Sequence, residues 1–98
     1  MKILWTQTAI DRVTEIHDYI KTDSPISAQK WVELILEKIL KLQSLPKIGR
    51  KVPEINSENV RELIYNNYRI IYKIENATIY IMTVRHFKQI LPIEEAVK

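Results

Sequence analysis

Several side chains in the second half of the chain are of the types that cleave a phosphodiester bond. Glu54 lies in a loop, and Arg61 and Arg69 lie on adjacent predicted strands. Arg85 and His86 lie near the end of the last predicted strand. Cleavage of RNA by its own 2′-hydroxyl needs a general base, a general acid and cations that stabilise the phosphorane. Glu54, Arg69 and His86 therefore form a candidate catalytic set, with Arg85 as an alternative cation.

A structural interpretation of the same side chains stays open. Arg69 and Arg85 are able to pair with Glu62, Glu75 or another acid across a sheet, because clusters of ionisable residues are often structural. The two interpretations differ in whether the cations are free to meet a substrate.

The rest of the composition excludes most other chemistry. The chain has no Cys and only one Gly, so a thiolate nucleophile, a disulfide framework and a glycine-rich phosphate loop are all excluded. His17 and His86 are the only histidines, and nothing in their spacing predicts a metal site. We expect no cofactor, and we interpret His17 as a packing or surface residue.

Length and charge limit the class of protein. Ninety-eight residues form one domain, 1–98, and the sequence has no apolar run that predicts a membrane span or a signal peptide. We therefore expect a cytoplasmic protein. Residues 47–88 carry eight basic and four acidic side chains, a net charge of +4, whereas residues 1–46 are neutral. This basic half permits a polyanionic partner such as nucleic acid or an acidic protein segment.

Hydrophobic periodicity predicts the elements that position these residues. Apolar residues recur at helical spacing in two segments, which a Thr-Asp-Ser-Pro breaker separates, and the second half alternates as strands do. The predicted elements are a strand at 3–5, helices at 7–21 and 25–44, a basic loop at 45–54, strands at 60–65, 68–74 and 78–86, and a short tail at 91–97. The fold class is α+β, with the order β-α-α-β-β-β: an antiparallel helical hairpin packs on one face of the sheet, whose last three strands form an antiparallel meander.

Alternation along the strands assigns side chains to the two faces of the sheet. The predicted strand 68–74 places Arg69 on the face opposite Tyr68 and Tyr72. In the last strand, Thr83 and Arg85 share one face, and the other face is predicted to hold Met82, Val84 and His86.

Five short motifs occur in a fixed order along residues 3 to 88. They are Trp5 with Ala9-x-x-x-Val13-x-x-Ile16-x-x-Tyr19-Ile20, Leu45-Pro46-x-x-Gly49-Arg50-x-x-Pro53-Glu54, Val60-Arg61-Glu62-Leu63, Tyr68-Arg69-Ile70-Ile71-Tyr72 and Val84-Arg85-His86. In this order and spacing the chain resembles the RelE/ParE toxins. The resemblance implies the toxin of a bacterial type II toxin–antitoxin pair, which a labile cognate antitoxin neutralises in a hetero-oligomer by laying a helix or strand across its apolar and basic surface.

The resemblance leaves the target of the toxin open. ParE-like members poison DNA gyrase and RelE-like members cut messenger RNA on the ribosome. Arg69 matches an arginine that RelE-like nucleases use on the scissile phosphate, and Glu54 with His86 is similar to the acid/base pair of the YoeB-like subgroup. The Leu-Pro-x-x-Gly-Arg motif and the absence of Tyr after Arg85 favour the ParE-like subgroup. An inactive relic that only binds antitoxin is a third possibility.

The favoured ParE-like interpretation implies a contact surface rather than a catalytic site. The residues expected to bind the target or the antitoxin are Arg50, Lys51, Arg61, Arg69, Arg85 and Lys88. The nuclease alternative instead requires Glu54, Arg69 and His86 to act together.

Overall fold

Two helices and a five-stranded sheet make up most of the molecule, which a computed structural model describes over residues 1–97. Strand β1 (Lys2–Trp5) leads into helix α1 (Gln7–Lys21) and helix α2 (Pro25–Leu40). Strands β2 (Arg50–Lys51), β3 (Val60–Tyr65), β4 (Tyr68–Glu75) and β5 (Thr78–His86) follow, and helix α3 (Ile93–Val97) comes last. The predicted α+β class and element order are confirmed. Over residues 1–97, no helix has the length and apolar content that crossing a bilayer requires.

Side-chain caps begin both long helices. Thr6 Oγ1 accepts the N–H of Ala9 at 3.1 Å, and Ser24 Oγ accepts the N–H of Ser27 at 3.1 Å. Each cap satisfies an N–H that has no partner within the helix. Pro25 follows Ser24 in the first turn of α2, where its missing N–H costs nothing. Thr6 also donates to the carbonyl of Ile81 at 2.8 Å, so the start of α1 is tied to β5.

The sheet has the strand order β1-β5-β4-β3-β2. Strands β2 to β5 are antiparallel neighbours, whereas β1 pairs with β5 in parallel. The β3–β4 turn lies at Asn66-Asn67 as the sequence predicts, and Asn66 adopts a φ of 51°. Asparagine tolerates this left-handed conformation better than most residues.

The two apolar clusters lie on opposite faces of the sheet. The larger cluster joins the helical hairpin to the sheet through Trp31, Ile35, Ile70 and Tyr72. The smaller cluster packs α3 and the loop after β2 against the other face, and contains Val52, Val60, Ile71, Met82, Leu91 and Ala96. The hairpin therefore packs on one face as predicted, and the C-terminal tail adds a short helix on the other.

Three local predictions differ from the structure. Helix α2 ends at Leu40 and continues as a 3-10 turn over Lys41–Gln43, short of the predicted end at 44. The predicted basic loop contains strand β2, which is only two residues long and gives no alternation signal. Met82 does not share a face with Val84. The β4–β5 register moves from Ile71–Thr83 to Tyr72–Ile81, and this bulge turns Met82 into the smaller cluster.

Candidate functional site

The loop before β3 is fixed by a tyrosine in the sheet. Tyr72 lies on β4, and its hydroxyl accepts the N–H of Gly49 at 3.0 Å and donates to the carbonyl of Pro46 at 2.8 Å. A Cβ at Gly49 would lie 2.6 Å from the carbonyl oxygen of Glu62 and 2.7 Å from the Tyr72 hydroxyl. Only glycine fits this close approach, because any side chain would push the loop off the sheet. The two hydrogen bonds of Tyr72 and the close approach of Gly49 hold the residues from Pro46 to Arg50 against β3 and β4.

A chain of four alternating charges crosses the sheet face that α3 also covers. Arg50 Nε donates to Glu62 Oε2, and Arg69 Nε donates to Glu62 Oε1, both at 2.6 Å. The two terminal nitrogens of Arg69 donate to the two oxygens of Glu54 at 2.8 and 2.9 Å. Glu62 has a fully buried side chain and that of Arg69 is only 8% exposed. The pairing of Arg69 with Glu62 is the structural arrangement that the sequence left open.

This charge chain changes the protonation behaviour of its members. Two hydrogen bonds from Arg69 hold the pKa of Glu54 below its ordinary value. Hydrogen bonds to Glu54 and Glu62 raise the pKa of Arg69. Both groups are therefore charged at neutral pH, and Glu54 is a poor proton acceptor.

A second charge cluster surrounds Glu95 on α3. Glu95 accepts from Thr83 Oγ1 at 2.9 Å, and from Arg85 Nε and Nη2 at 3.0 and 2.6 Å. Arg12 on α1 donates to the same carboxylate at 3.2 Å. Partial burial alone raises the pKa of Glu95, but the bonds from Arg85, Arg12 and Thr83 outweigh it and lower the pKa to about 2. One carboxylate thus ties together α1, β5 and α3.

His86 lies on the opposite face of the sheet from Arg69. Its ring meets that of Tyr68 edge-on, with the centroids 5.4 Å apart, and Tyr68 packs with Trp31 of the helical hairpin. The N–H of Lys88 donates to Nδ1 of His86 at 3.1 Å. Of the candidate catalytic set, the structure brings Glu54 and Arg69 into contact and does not bring His86 to them.

The candidate contact residues differ in how available they are. Arg50 and Lys51 lie exposed on the edge strand β2, although each also pairs with an acid. Arg61 is largely enclosed, because it donates to the carbonyl of Gly49 at 2.8 Å and to Glu58 at 2.9 Å. Lys88 is exposed and lies 5.9 Å from the ring of Phe87.

The sequence indicates only some of the partners that engage these cations. Glu62 is one of several acids that the sequence offers to Arg69, and its inward position on β3 follows from alternation along that strand. Glu95 and Arg12 had no local signal, because their contact with Arg85 depends on where α3 docks. Within residues 1–97, no cluster of His, Asp and Glu has the arrangement that holds a metal ion.

Comparison with known proteins identifies the class of protein to which this fold belongs. A family model described as "ParE toxin of type II toxin-antitoxin system, parDE" matches residues 3–91. The chain belongs to this family and is a type II toxin of the RelE/ParE superfamily, as the resemblance predicted.

One curated protein is similar to this chain over most of its length, and one solved structure shares its fold. The chain is 29% identical over 86 residues to Toxin RelE2 of Caulobacter vibrioides, and the match covers 87% of this chain and 93% of that protein. A solved structure titled "Chromosomal ParDE TA system from P. aeruginosa" has the same fold with a TM-score of 0.75. That match covers 90% of this chain and 97% of the other at 24% identity.

Proposed function

We propose that this toxin inhibits growth by binding DNA gyrase, without a catalytic step, and that a cognate antitoxin neutralises it. The main support is that the guanidinium group of Arg69 is already hydrogen-bonded within the protein. All three guanidinium nitrogens already donate to carboxylates, and its side chain is nearly buried. A substrate phosphate would have to displace Glu54 from the two terminal nitrogens of Arg69, which breaks two charge-assisted hydrogen bonds before the phosphate forms its own.

The candidate general base and general acid are not placed to act together, which also favours binding over catalysis. A general base works best when its pKa lies near the working pH, but Arg69 holds the pKa of Glu54 low. The only histidine near the end of β5 is His86, which lies on the other face of the sheet. A nuclease of this fold would need these groups on one side, around the same phosphate.

The exposed cations on the sheet edge are the proposed contacts with gyrase. Arg50 and Lys51 lie on β2, directly after Gly49, whose hydrogen bond to the Tyr72 hydroxyl fixes the position of the strand. Arg61, Arg69 and Arg85 are engaged internally, and Arg61 lies on the opposite face of the sheet from the other two, so we assign them only a supporting role. Lys88 lies after the end of β5, away from β2, and adds an exposed positive charge at that end of the sheet.

The proposed antitoxin covers apolar surface that the chain leaves open. Leu34, Leu36 and Leu40 on α2 are each more than one-third exposed. Exposed large apolar side chains that lie together are typical of protein interfaces. An antitoxin segment that covers α2 and carries acidic residues would complement both this surface and the net charge of +3, and would form a hetero-oligomer with the toxin.

One observation favours the alternative, a ribosome-dependent messenger RNA endoribonuclease. Arg69 and Arg85 are direct partners across β4 and β5. Two adjacent arginines are able to bind a phosphate if the bound carboxylates leave. In that case Glu54 would leave Arg69 and act as the acid or base, and His86 would have to approach from the other face.

Pulse labelling in bacteria tests the proposal. Expression of the chain without antitoxin is expected to stop thymidine incorporation within minutes, while methionine incorporation falls later. Glu54→Ala and His86→Ala are expected to retain toxicity. An early loss of methionine incorporation that both variants abolish would establish the nuclease alternative instead. Continued growth with neither label affected would indicate an inactive relic.

A further inference from the structure

A cleft between α1 and the ends of β4 and β5 is lined mostly by residues to which neither proposed function assigns a role; Arg85 and His86 are the exceptions. It encloses about 320 Å³, within the range of small-ligand sites. Tyr19 and Arg12 of α1 form one wall, and Tyr68 and His86 form the other. The remaining lining residues are Glu15, Ile16, Val84, Arg85 and Gln89.

The rings of Tyr68 and His86, which line the cleft, are the middle two of a row of four aromatic rings. Trp31 meets Tyr68 edge-on at 5.2 Å, and Tyr68 meets His86 edge-on at 5.4 Å between centroids. His86 stacks on Phe87 at 5.2 Å. Aromatic rings gain energy from edge-to-face and offset contacts beyond the area that they bury. A further ring that entered the cleft would make such contacts with Tyr68 and His86, whereas a saturated ring of the same size would not.

Polar groups in the cleft have capacity to spare. Neither tyrosine hydroxyl, of Tyr19 or of Tyr68, has a hydrogen-bond partner among residues 1–97. The Nδ1 atom of His86 accepts from Lys88, so the neutral ring carries its proton on Nε2. The cleft is thus able to hydrogen-bond an occupant as well as enclose it.

A positive charge that no acid balances lies beside the cleft, on a residue outside its lining. Arg12 and Arg85 share Glu95, and Arg12 also pairs with Glu15, so these four charges cancel. Lys88 lies next to the row of rings and makes no ion pair with any residue in 1–97. A partner that complements this charge carries a carboxylate beside its aromatic group.

We propose that this cleft is a docking site for an aromatic side chain of a protein partner, next to an acidic residue in that partner. At the centre of many protein interfaces, an aromatic side chain of one partner fills a pocket of the other. Tyr19 is 76% exposed and Ile90 is 92% exposed, so a partner that binds at the cleft would bury apolar surface of both side chains. The inference does not depend on whether gyrase or the ribosome is the target.

The test is a titration of the full chain with 3-phenylpropionate, in which NMR spectra record the backbone amide chemical shifts at each ligand concentration. We expect saturable shifts at Arg12, Tyr19, Tyr68, His86 and Gln89, with a dissociation constant on the order of millimolar for so small a ligand. 3-Cyclohexylpropionate has the same chain and charge without the aromatic ring, and is expected to bind about 3- to 10-fold more weakly. 3-Phenylpropanamide, which lacks the charge, is expected to bind about 2- to 5-fold more weakly at low salt.

Substitutions at one exposed residue, Tyr19, test the binding site without disturbing the folded core. Tyr19→Ala is expected to weaken binding of 3-phenylpropionate at least 3-fold, and Tyr19→Phe is expected to restore it. Ile26→Ala serves as the control, because Ile26 is similarly exposed, at 72%, on the helical hairpin but outside the cleft.

Four results would overturn the proposal. They are the absence of saturable shifts at the cleft, equal binding of the cyclohexyl compound, and tighter binding of adenosine monophosphate than of 3-phenylpropionate. The fourth is a concentration-dependent shift of the cleft amides without ligand, which would assign the cleft to a second copy of the chain. None of these results bears on gyrase inhibition, so the two proposals fail separately.

Discussion

Arg69 and Arg85 lie directly opposite each other on β4 and β5, and each is neutralised by carboxylates from a different part of the chain. Glu54 and Glu62 hold Arg69, whereas Glu95 holds Arg85. Like charges at such a position destabilise a sheet unless they are compensated. The loop before β3 supplies Glu54 and the C-terminal helix α3 supplies Glu95, so ion pairing adds to the apolar packing that holds both segments on the sheet.

Glu62→Gln is expected to lower the free energy of unfolding by about 2–4 kcal/mol. The change leaves Arg69 buried with only one carboxylate partner, and breaking a buried ion pair on one side is costly. Urea denaturation measures the effect. Glu58→Gln is the matched control: Glu58 is 61% exposed and pairs with Lys51 and Arg61, so the expected loss is much smaller than that of Glu62→Gln. Equal losses in the two variants would contradict the importance of the buried pair.

Glu95 is expected to contribute a pH-dependent part of the stability. Its pKa in the folded state is about 2, below the ordinary glutamate value of 4.5. A carboxyl group whose pKa is lowered by folding stabilises the protein above the unfolded-state pKa, and this stabilisation is lost as the pH falls toward the folded-state pKa. The free energy of unfolding should therefore decrease between about pH 5 and pH 2.

Glu95→Gln tests this linkage. The variant is expected to be less stable than the wild type at pH 7, and to lose less stability between pH 5 and pH 2. Denaturant titrations at several pH values measure both effects. Glu15→Gln is the control, because Glu15 also pairs with Arg12 but is exposed, and it should retain the wild-type slope. An unchanged slope in Glu95→Gln would show that α3 is not held through this carboxylate.

Gly49→Ala is expected to destabilise the protein by about 1–3 kcal/mol, because the added methyl group overlaps the Glu62 carbonyl and the Tyr72 ring. Thermal unfolding measures the loss. Tyr72→Phe removes only the hydroxyl that bonds Gly49 and Pro46, and should cost about 1–2 kcal/mol. A neutral Gly49→Ala substitution would show that the loop does not need this close approach.

Ala77→Gly is expected to stabilise the protein by about 0.5–1 kcal/mol. Ala77 has a φ of 59° in the β4–β5 turn, where a Cβ atom is strained and glycine is not. Thermal or chemical denaturation measures the gain. The same exchange at Ala28, inside α2, is the control and should destabilise. A loss of stability in Ala77→Gly would contradict the backbone conformation of this turn.

The elements were predictable because their signals are local. The caps at Thr6 and Ser24, the turn at Asn66-Asn67 and the alternation around Arg69 all follow from short stretches of sequence. The bulge at Met82 was not predictable, because one extra residue in a strand leaves no mark in an alternation that is already apolar. This local shift changed the face of Met82 and left that of Arg85 as predicted.

The candidate site was predictable only in part. The sequence identified Arg69, Glu54 and Glu62 as able to interact, but not which contacts would form. The separation of His86 from Arg69 follows from alternation along two paired strands, and depends on the register that the turn after Tyr65 fixes. The docking of Glu95 depends on tertiary packing of α3, which no short stretch of sequence encodes.

The most direct test of the proposed function uses purified toxin in two parallel assays. We expect the wild type, Glu54→Gln and His86→Ala to inhibit supercoiling of relaxed plasmid DNA by gyrase, and Arg50→Ala/Lys51→Ala to inhibit it less. We expect none of them to cut messenger RNA on translating ribosomes. Messenger RNA cleavage by the wild type, with gyrase unaffected and cleavage abolished in Glu54→Gln and His86→Ala, would contradict the proposal.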